Sequence, residues 1–257
     1  MIRSTLAIAI AAAAFTTPAL ADPVPLVGTL TANWYTVTPG PVKAARDFQR
    51  TCCSEFRTDM VLSALGPNGL PVYNPASVGP QIFGVDATGE LQWWTHGTTN
   101  GGDVVSFTSS KTVSIPFADS SMFPPDGTGS GNGGSNGFQT THFFGTFTFE
   151  TPTILTWTMR ADDDAFFFVN GEFFTGLGGV HPVTQSPVVS KLLSAGAHRF
   201  DLFYADRHTT QAQLFFSATV DPQPIPEPAT WAMLIAGFGF VGLGLRRRRT
   251  TAVAVAA

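Results

Sequence analysis

This chain is short of charge, of cysteine and of helical pattern, and each shortage excludes something. Asp, Glu, Lys and Arg make up 12% of its 257 residues, about half the usual share, so the dense ionic surface of a cytosolic enzyme is missing. Its two cysteines, Cys52 and Cys53, are neighbours. There is thus no Cys-x-x-Cys and no disulfide framework, and a bridge between neighbours falls outside the usual Cα separation. The pair reads as two half-buried thiols or a strained, occasional bridge in a loop, not as a redox or metal centre. Hardly any segment between residues 22 and 225 repeats with helical period. What is abundant is phenylalanine, with 23 copies, which together with a Gly, Ser and Thr surface describes a dry aromatic core in an exported β protein.

Two terminal segments read as address labels. Residues 1–21 carry Arg3, an apolar run over 6–15 and Ala19-Leu20-Ala21, the pattern of a signal peptide cut by signal peptidase after Ala21. Residues 229–245 are free of charge and precede Arg246, Arg247, Arg248 and Arg249. A helix there spans roughly 26 Å, close to a bilayer core of about 30 Å. The arginines orient it with residues 250–257 in the cytoplasm and the rest exported. Five of the 14 basic residues lie in these two segments, leaving nine against 18 acidic ones. That balance argues against nucleic acid as a partner and is compatible with divalent cations.

Residues 22–220 read as one all-β domain, a single sandwich with aromatic inner faces. Strands are expected over 26–38, 60–65, 146–150, 153–159, 198–204 and 213–220, with 104–107 and 111–117 as a pair and a short helix within 42–58. Residues 166–169 form a buried strand, and Asn170-Gly171 is a two-residue hairpin turn into a second strand at 172–177. Residues 126–137 are low complexity and loop-like, and 221–228, with proline at every second position, form an extended spacer.

At the hairpin mouth stand Asp162, Asp163 and Asp164. Three successive carboxylates repel one another unless water or a cation screens them. With Asp206 and backbone carbonyls of residues 176–179 they form an all-oxygen set suited to Ca²⁺; the alternative is an acidic turn salt-bridged to Arg160 or Arg207. His181, His208 and Asp206 could instead hold Zn²⁺, although such histidines more often space loops. Gly133-Gly134-Ser135-Asn136-Gly137 fits the hydrolase nucleophile pattern, but its flanks are loop and the elbow needs a strand and a helix. Trp93-Trp94 is a sugar-stacking platform or, more commonly, core.

Two families are similar to these residues. The segment 226–249, with Pro226, Glu227, Pro228, Trp231, a glycine-rich helix and the arginine stop, resembles the PEP-CTERM tail processed by exosortases, which implies transient membrane anchoring, cleavage near Pro226 to Pro228 and delivery to the surface. Residues 47–220, with Asp47-Phe48, LGPNGLPVY, MFPPD, ADDDAFFFVNG, LGGVH and FYADRH, resemble the fibro-slime domain, itself similar to protective-antigen-type lectin sandwiches. That resemblance implies two aspartates joined by a cis peptide, placed by distance from the hairpin glycine at Asp163 and Asp164, holding a Ca²⁺ that chelates sugar hydroxyls; His181 and His208, which close two of the motifs, are further ligand-binding candidates. The expected protein is therefore non-enzymatic, exported and surface-sorted, and adhesive or polymer-associated through an extracellular glycan. A ligand-free structural subunit and a metal-dependent hydrolase are the competing readings.

Overall fold

The computed structural model describes residues 22–50, 56–124, 137–223 and 233–243. Ala21, Cys52, Cys53, the residues 125–136, Pro226, Glu227, Pro228 and Arg246 through Arg249 lie outside the described residues, and with them the expectations for leader, thiols, glycine loop and arginine stop.

Residues 22–223 form one compact unit. In chain order its strands are β1 (Val24–Pro25), β2 (Gly28–Thr38), β3 (Val61–Leu65), β4 (Pro71–Tyr73) and β5 (Gly97–Thr98). Then come β6 (Val104–Ile115), β7 (Phe117–Asp119), β8 (Phe138–Phe149), β9 (Thr153–Asp162) and β10 (Asp164–Val169). The last five are β11 (Glu172–Leu177), β12 (Thr184–Gln185), β13 (Val189–Leu193), β14 (Gly196–Ala205) and β15 (Gln213–Pro222). They build two antiparallel sheets. The larger runs β4-β3-β11-β10-β14-β8-β2-β6-β5; the smaller runs β1-β15-β9-β12, with β13 also on β9 and β7 on β15.

Alternation explains the smaller sheet. Along β9, Thr153, Leu155, Trp157, Met159 and Ala161 point inward while the residues between them do not, the period-2 pattern of a half-buried strand. Trp157 lies flat between Phe167 (3.7 Å between centroids) and Phe216 (5.4 Å). Such stacking contributes about 0.5–1.5 kcal/mol per pair beyond buried area. The larger sheet is buried on both sides. Ala165, Phe167 and Val169 of β10 join the core between the sheets, whereas Phe166 and Phe168 join a second core with Phe48, Met60, Ile82, Leu91, Trp93 and Trp94. The AFFFV run is continuous because both of its faces are covered.

The hairpin at Asn170-Gly171 forms as expected, with φ of 54° and 78°, the positive values that such a turn requires. Other expectations need correction. Residues 104–117 are not a paired hairpin: Val104–Ile115 is one long strand on β2, because the polar Thr108-Ser109-Ser110 lies on an exposed stretch of strand and not in a turn. Residues 42–50 and 56–58 hold no helix, and the rest of that stretch lies outside the described residues. The spacer begins later than residue 221, since Asp221 and Pro222 pair with Ile154 and Thr153.

Of the expected membrane helix 229–245, helix 233–243 is described, with Met233, Ile235, Phe238 and Phe240 exposed. Among the described residues no helix is long and apolar enough to cross a membrane.

Candidate functional site

Three times the chain passes between the two sheets at the same end of the sandwich. It goes from β9 to β10 through Asp163, from β11 toward β12 through residues 178–183, and from β14 to β15 through residues 206–212. The pairings Asp164 with Ala205 and Ala165 with Leu177 set these crossings side by side. The three sequence motifs ADDDAFFFVNG, LGGVH and FYADRH thus meet in space.

Asp163 ties them together. Its Oδ1 accepts the His181 N–H (3.1 Å), and its Oδ2 accepts the N–H groups of Arg207 (2.7 Å) and His208 (2.9 Å). Asp164 accepts the Gly179 N–H (2.7 Å) and takes the Arg207 guanidinium through Nε (2.6 Å) and Nη2 (3.2 Å). Asp206 Oδ1 accepts the His208 N–H (3.2 Å), and the Tyr204 hydroxyl donates to the Asp162 carbonyl (2.6 Å). All four carboxylates and Arg207 are buried. The carboxylates therefore form a closed, buried cluster and not a solvent-washed triplet.

The peptide in cis is Asp162–Asp163, one residue before the Asp163–Asp164 position the resemblance implied. Asp164 is already the first residue of β10, and its carboxylate belongs to Arg207; Asp163 belongs to neither sheet. Of the two arginines considered as partners, Arg207 is the one engaged, while Arg160 lies over the Phe215 ring at 4.6 Å.

Charge crowding dominates the electrostatics. Burial, then the charges of Asp164 and Asp162, push Asp163 up to about 8. Burial raises Asp162 to about 6 against the hydrogen bond it shares with the Asp163 carboxyl. Asp206 is driven well above the carboxylate range by burial and by Asp163 and Asp162. Burial alone disfavours the charged Arg207, but the adjacent Asp164 outweighs it and raises the guanidinium further.

The two histidines contribute backbone rather than ring to this cluster. His181 Nδ1 donates to the Pro182 carbonyl (2.9 Å), and its Nε2 is buried without a partner among the described residues. The His208 ring engages Thr210 through Nδ1 (2.9 Å to the hydroxyl). Among the described residues no group of three or more His, Cys, Asp or Glu side chains is placed to hold a metal ion by itself.

Behind the cluster stands a second set of buried carboxylates that the sequence did not single out as functional. The Arg207 guanidinium sits 4.9 Å over the Trp93 ring, and Trp93 Nε1 donates to Asp47 Oδ2 (2.9 Å). Asp47 also accepts the Phe83 and Gly84 N–H groups, and Asp103 accepts those of Gly40 and Asp47. These carboxylates replace missing strand partners for the loop layer. The only local signal was the Asp47-Phe48 pair, too short to interpret alone.

Comparison with known proteins bears on the two ends of the chain differently. Residues 224–249 match the PEP-CTERM protein-sorting motif, so this is an exosortase-sorted, exported surface protein. A 65-residue stretch, 24% of the chain, is 32% identical to Protein psiJ of Dictyostelium discoideum, of whose length the match spans 9%. Among solved structures the chain is similar to the PA14 sugar-binding domain from an RTX adhesin (TM-score 0.35, 13% identity, 74% of this chain and 88% of that one). It is also similar to the PA14 domain of the MpAFP antifreeze protein (0.32, 13%, 82% and 88%) and to a β-glucosidase from Kluyveromyces marxianus (0.27, 13%, 34% and 12%). Likenesses of this size establish neither a common fold nor a common ligand.

Proposed function

We propose that the exported sandwich is a fibro-slime-type adhesion module in which Asp162 and Asp163 hold a Ca²⁺ that in turn chelates the hydroxyls of an extracellular glycan. The supporting observation is the charge ledger of the cluster. Asp162, Asp163, Asp164 and Asp206 are buried around Arg207, whose guanidinium is committed to Asp164. The remaining three carboxylates must share protons or a cation.

The donor set is all oxygen, which suits Ca²⁺ over softer ions. Asp162 and Asp163 would supply charge, Asp206 would stand behind them, and His181 and His208 would close the rim. Backbone carbonyls, water and sugar hydroxyls would complete the six to eight oxygens that Ca²⁺ takes. When bound, the ion supplies a positive centre for a pair of vicinal hydroxyls. Support also comes from the resemblance of the three motifs to fibro-slime sequences, since these are the segments that converge.

Calcium titration of the full chain in detergent by calorimetry, followed by a glycan array with and without EDTA, tests this reading. Saturable Ca²⁺ binding that disappears in Asp162→Asn and Asp163→Asn, with glycan retention lost in EDTA, is expected. Calcium binding unchanged in both variants would overturn it.

A structural subunit without ligand is the second reading, favoured by one observation. Asp163 already accepts three backbone N–H groups, enough to make it a clip between crossings. In that case Asp163→Asn weakens folding and leaves no calcium signal to lose.

A further inference from the structure

We infer that a groove on the loop-covered face of the larger sheet, separate from the acidic cluster, is a second carbohydrate site that takes a neutral oligosaccharide without a metal. The groove has a volume of about 710 Å³ and is lined by Asn33, Tyr35, Asp86, Gln92, Trp94 and Phe107 among others, a size usual for small-ligand sites.

Its lining has the two chemistries a sugar needs. One is an aromatic wall for the C–H face of a pyranose. Phe107 projects from β6, half exposed, and is held edge-on by Tyr35 with centroids 5.6 Å apart. Its strand is pinned there by the Phe107 N–H donating to His96 Nδ1 (3.4 Å). Large aromatics left open to solvent at a cleft are characteristic of binding surfaces. Trp94 forms the floor: buried, with Nε1 donating to the Tyr204 carbonyl (2.8 Å), it cannot swing out.

The other chemistry is fixed polar groups around that wall. Gln92 Oε1 accepts the Asn100 N–H (2.7 Å), which orients the side chain and leaves its amide N–H₂ for a ligand oxygen. Asp86 Oδ1 accepts three donors, from the Thr88 N–H, the Thr88 hydroxyl and the Glu90 N–H, so the carboxylate is held rigid while Oδ2 accepts none among the described residues. An amide and a carboxylate, both held in place before a ligand arrives, offer a donor and an acceptor to sugar hydroxyls and cost little ordering entropy on binding.

Charge narrows the ligand class. The described lining includes Asp86 and neither lysine nor arginine, so uronic or sulfated sugars would meet an uncompensated carboxylate. Neutral hexose chains would not. The 3₁₀ turn Gln92–Trp94 places Trp93 under Arg207 and Trp94 in the groove, yet the groove borrows none of the four carboxylates of the acidic cluster.

Calorimetry and tryptophan fluorescence on the full chain in detergent, in EDTA, with cellotetraose, maltotetraose, mannotetraose and chitotetraose, test the inference. At least one tetrasaccharide should bind with a millimolar or tighter dissociation constant. Phe107→Ala and Gln92→Ala should each weaken it at least tenfold while the melting temperature stays within a few degrees. Binding by none of the four, or binding unmoved by both substitutions, overturns the inference. Binding that EDTA abolishes also overturns it, because it assigns the sugar to the acidic cluster, whose own test is the Asp162→Asn and Asp163→Asn pair.

Discussion

Replacing Arg207 with methionine removes the charge that the buried carboxylates are built around while keeping an unbranched apolar stem. In the native protein the guanidinium is fully buried, gives Asp164 bonds of 2.6 and 3.2 Å, and lies 4.9 Å over Trp93. Without it Asp164 keeps the Gly179 N–H at 2.7 Å and loses the guanidinium charge it is paired with. Breaking a buried pair from one side costs about 3–5 kcal/mol, because the partner charge stays desolvated. For a domain of this size about 1 kcal/mol corresponds to roughly 2–4 °C, so a melting temperature lower by about 10 °C is expected.

Urea and thermal unfolding of the full chain, run in EDTA so that bound metal cannot substitute, provide the measurement. Asp164→Asn added to Arg207→Met should recover part of the loss, since the orphaned charge is then gone; Arg207→Lys should recover little, because one ammonium cannot reproduce the fork geometry. A loss below about 1 kcal/mol for Arg207→Met would refute the reasoning, since the carboxylates would then not depend on the guanidinium.

Three further outcomes rest on the same buried contacts. Native Asp163 and Asp162 keep protons to about 8 and about 6 that the unfolded chain releases near 3.8, so the native state is the more protonated. Stability in EDTA should therefore fall as pH rises from about 4 to about 8, and Asp163→Asn should flatten the urea midpoint across that window; an unchanged slope would contradict the assignment. Trp157→Ala empties the slot between Phe167 and Phe216 and should cost about 3–5 kcal/mol by chemical denaturation. Gly84→Ala would place a Cβ 2.8 Å from Asp47 Oδ2 and 3.2 Å from Trp93 Nε1, so a loss of about 1–3 kcal/mol is expected, visible as a change in tryptophan emission before global unfolding.

Local signals were legible where neighbours in sequence are neighbours in space. Asn170-Gly171 announces its turn because two positive φ angles are costly for most other residues, and β9 alternates because only one of its faces meets the opposite sheet. The run Phe166-Phe167-Phe168 is different. Periodicity alone cannot assign a buried face to each of these residues; the assignment comes from the loop layer carrying Phe48, Trp93 and Trp94. The same layer explains why Trp93-Trp94 is neither plain core nor open platform: one ring supports Arg207 and the other floors a groove. Thr108-Ser109-Ser110 misleads as a turn because an exposed strand near a sheet edge has no inward face to demand apolar residues.

The sequence by itself determined that the chain is exported, carries a sorting tail, and folds as β strands around an aromatic core, since these depend on composition, short motifs and period-2 alternation. It also located the residues of the acidic cluster, through motifs far apart in the chain. Only the tertiary structure decided that Arg207 belongs to Asp164, that the cis peptide precedes Asp163, and that Asp163 receives N–H groups from two other crossings. Those contacts join residues 15 to 45 positions apart, and their pairing is set by which strands cross between the sheets at one end, a property of the topology that no local pattern encodes.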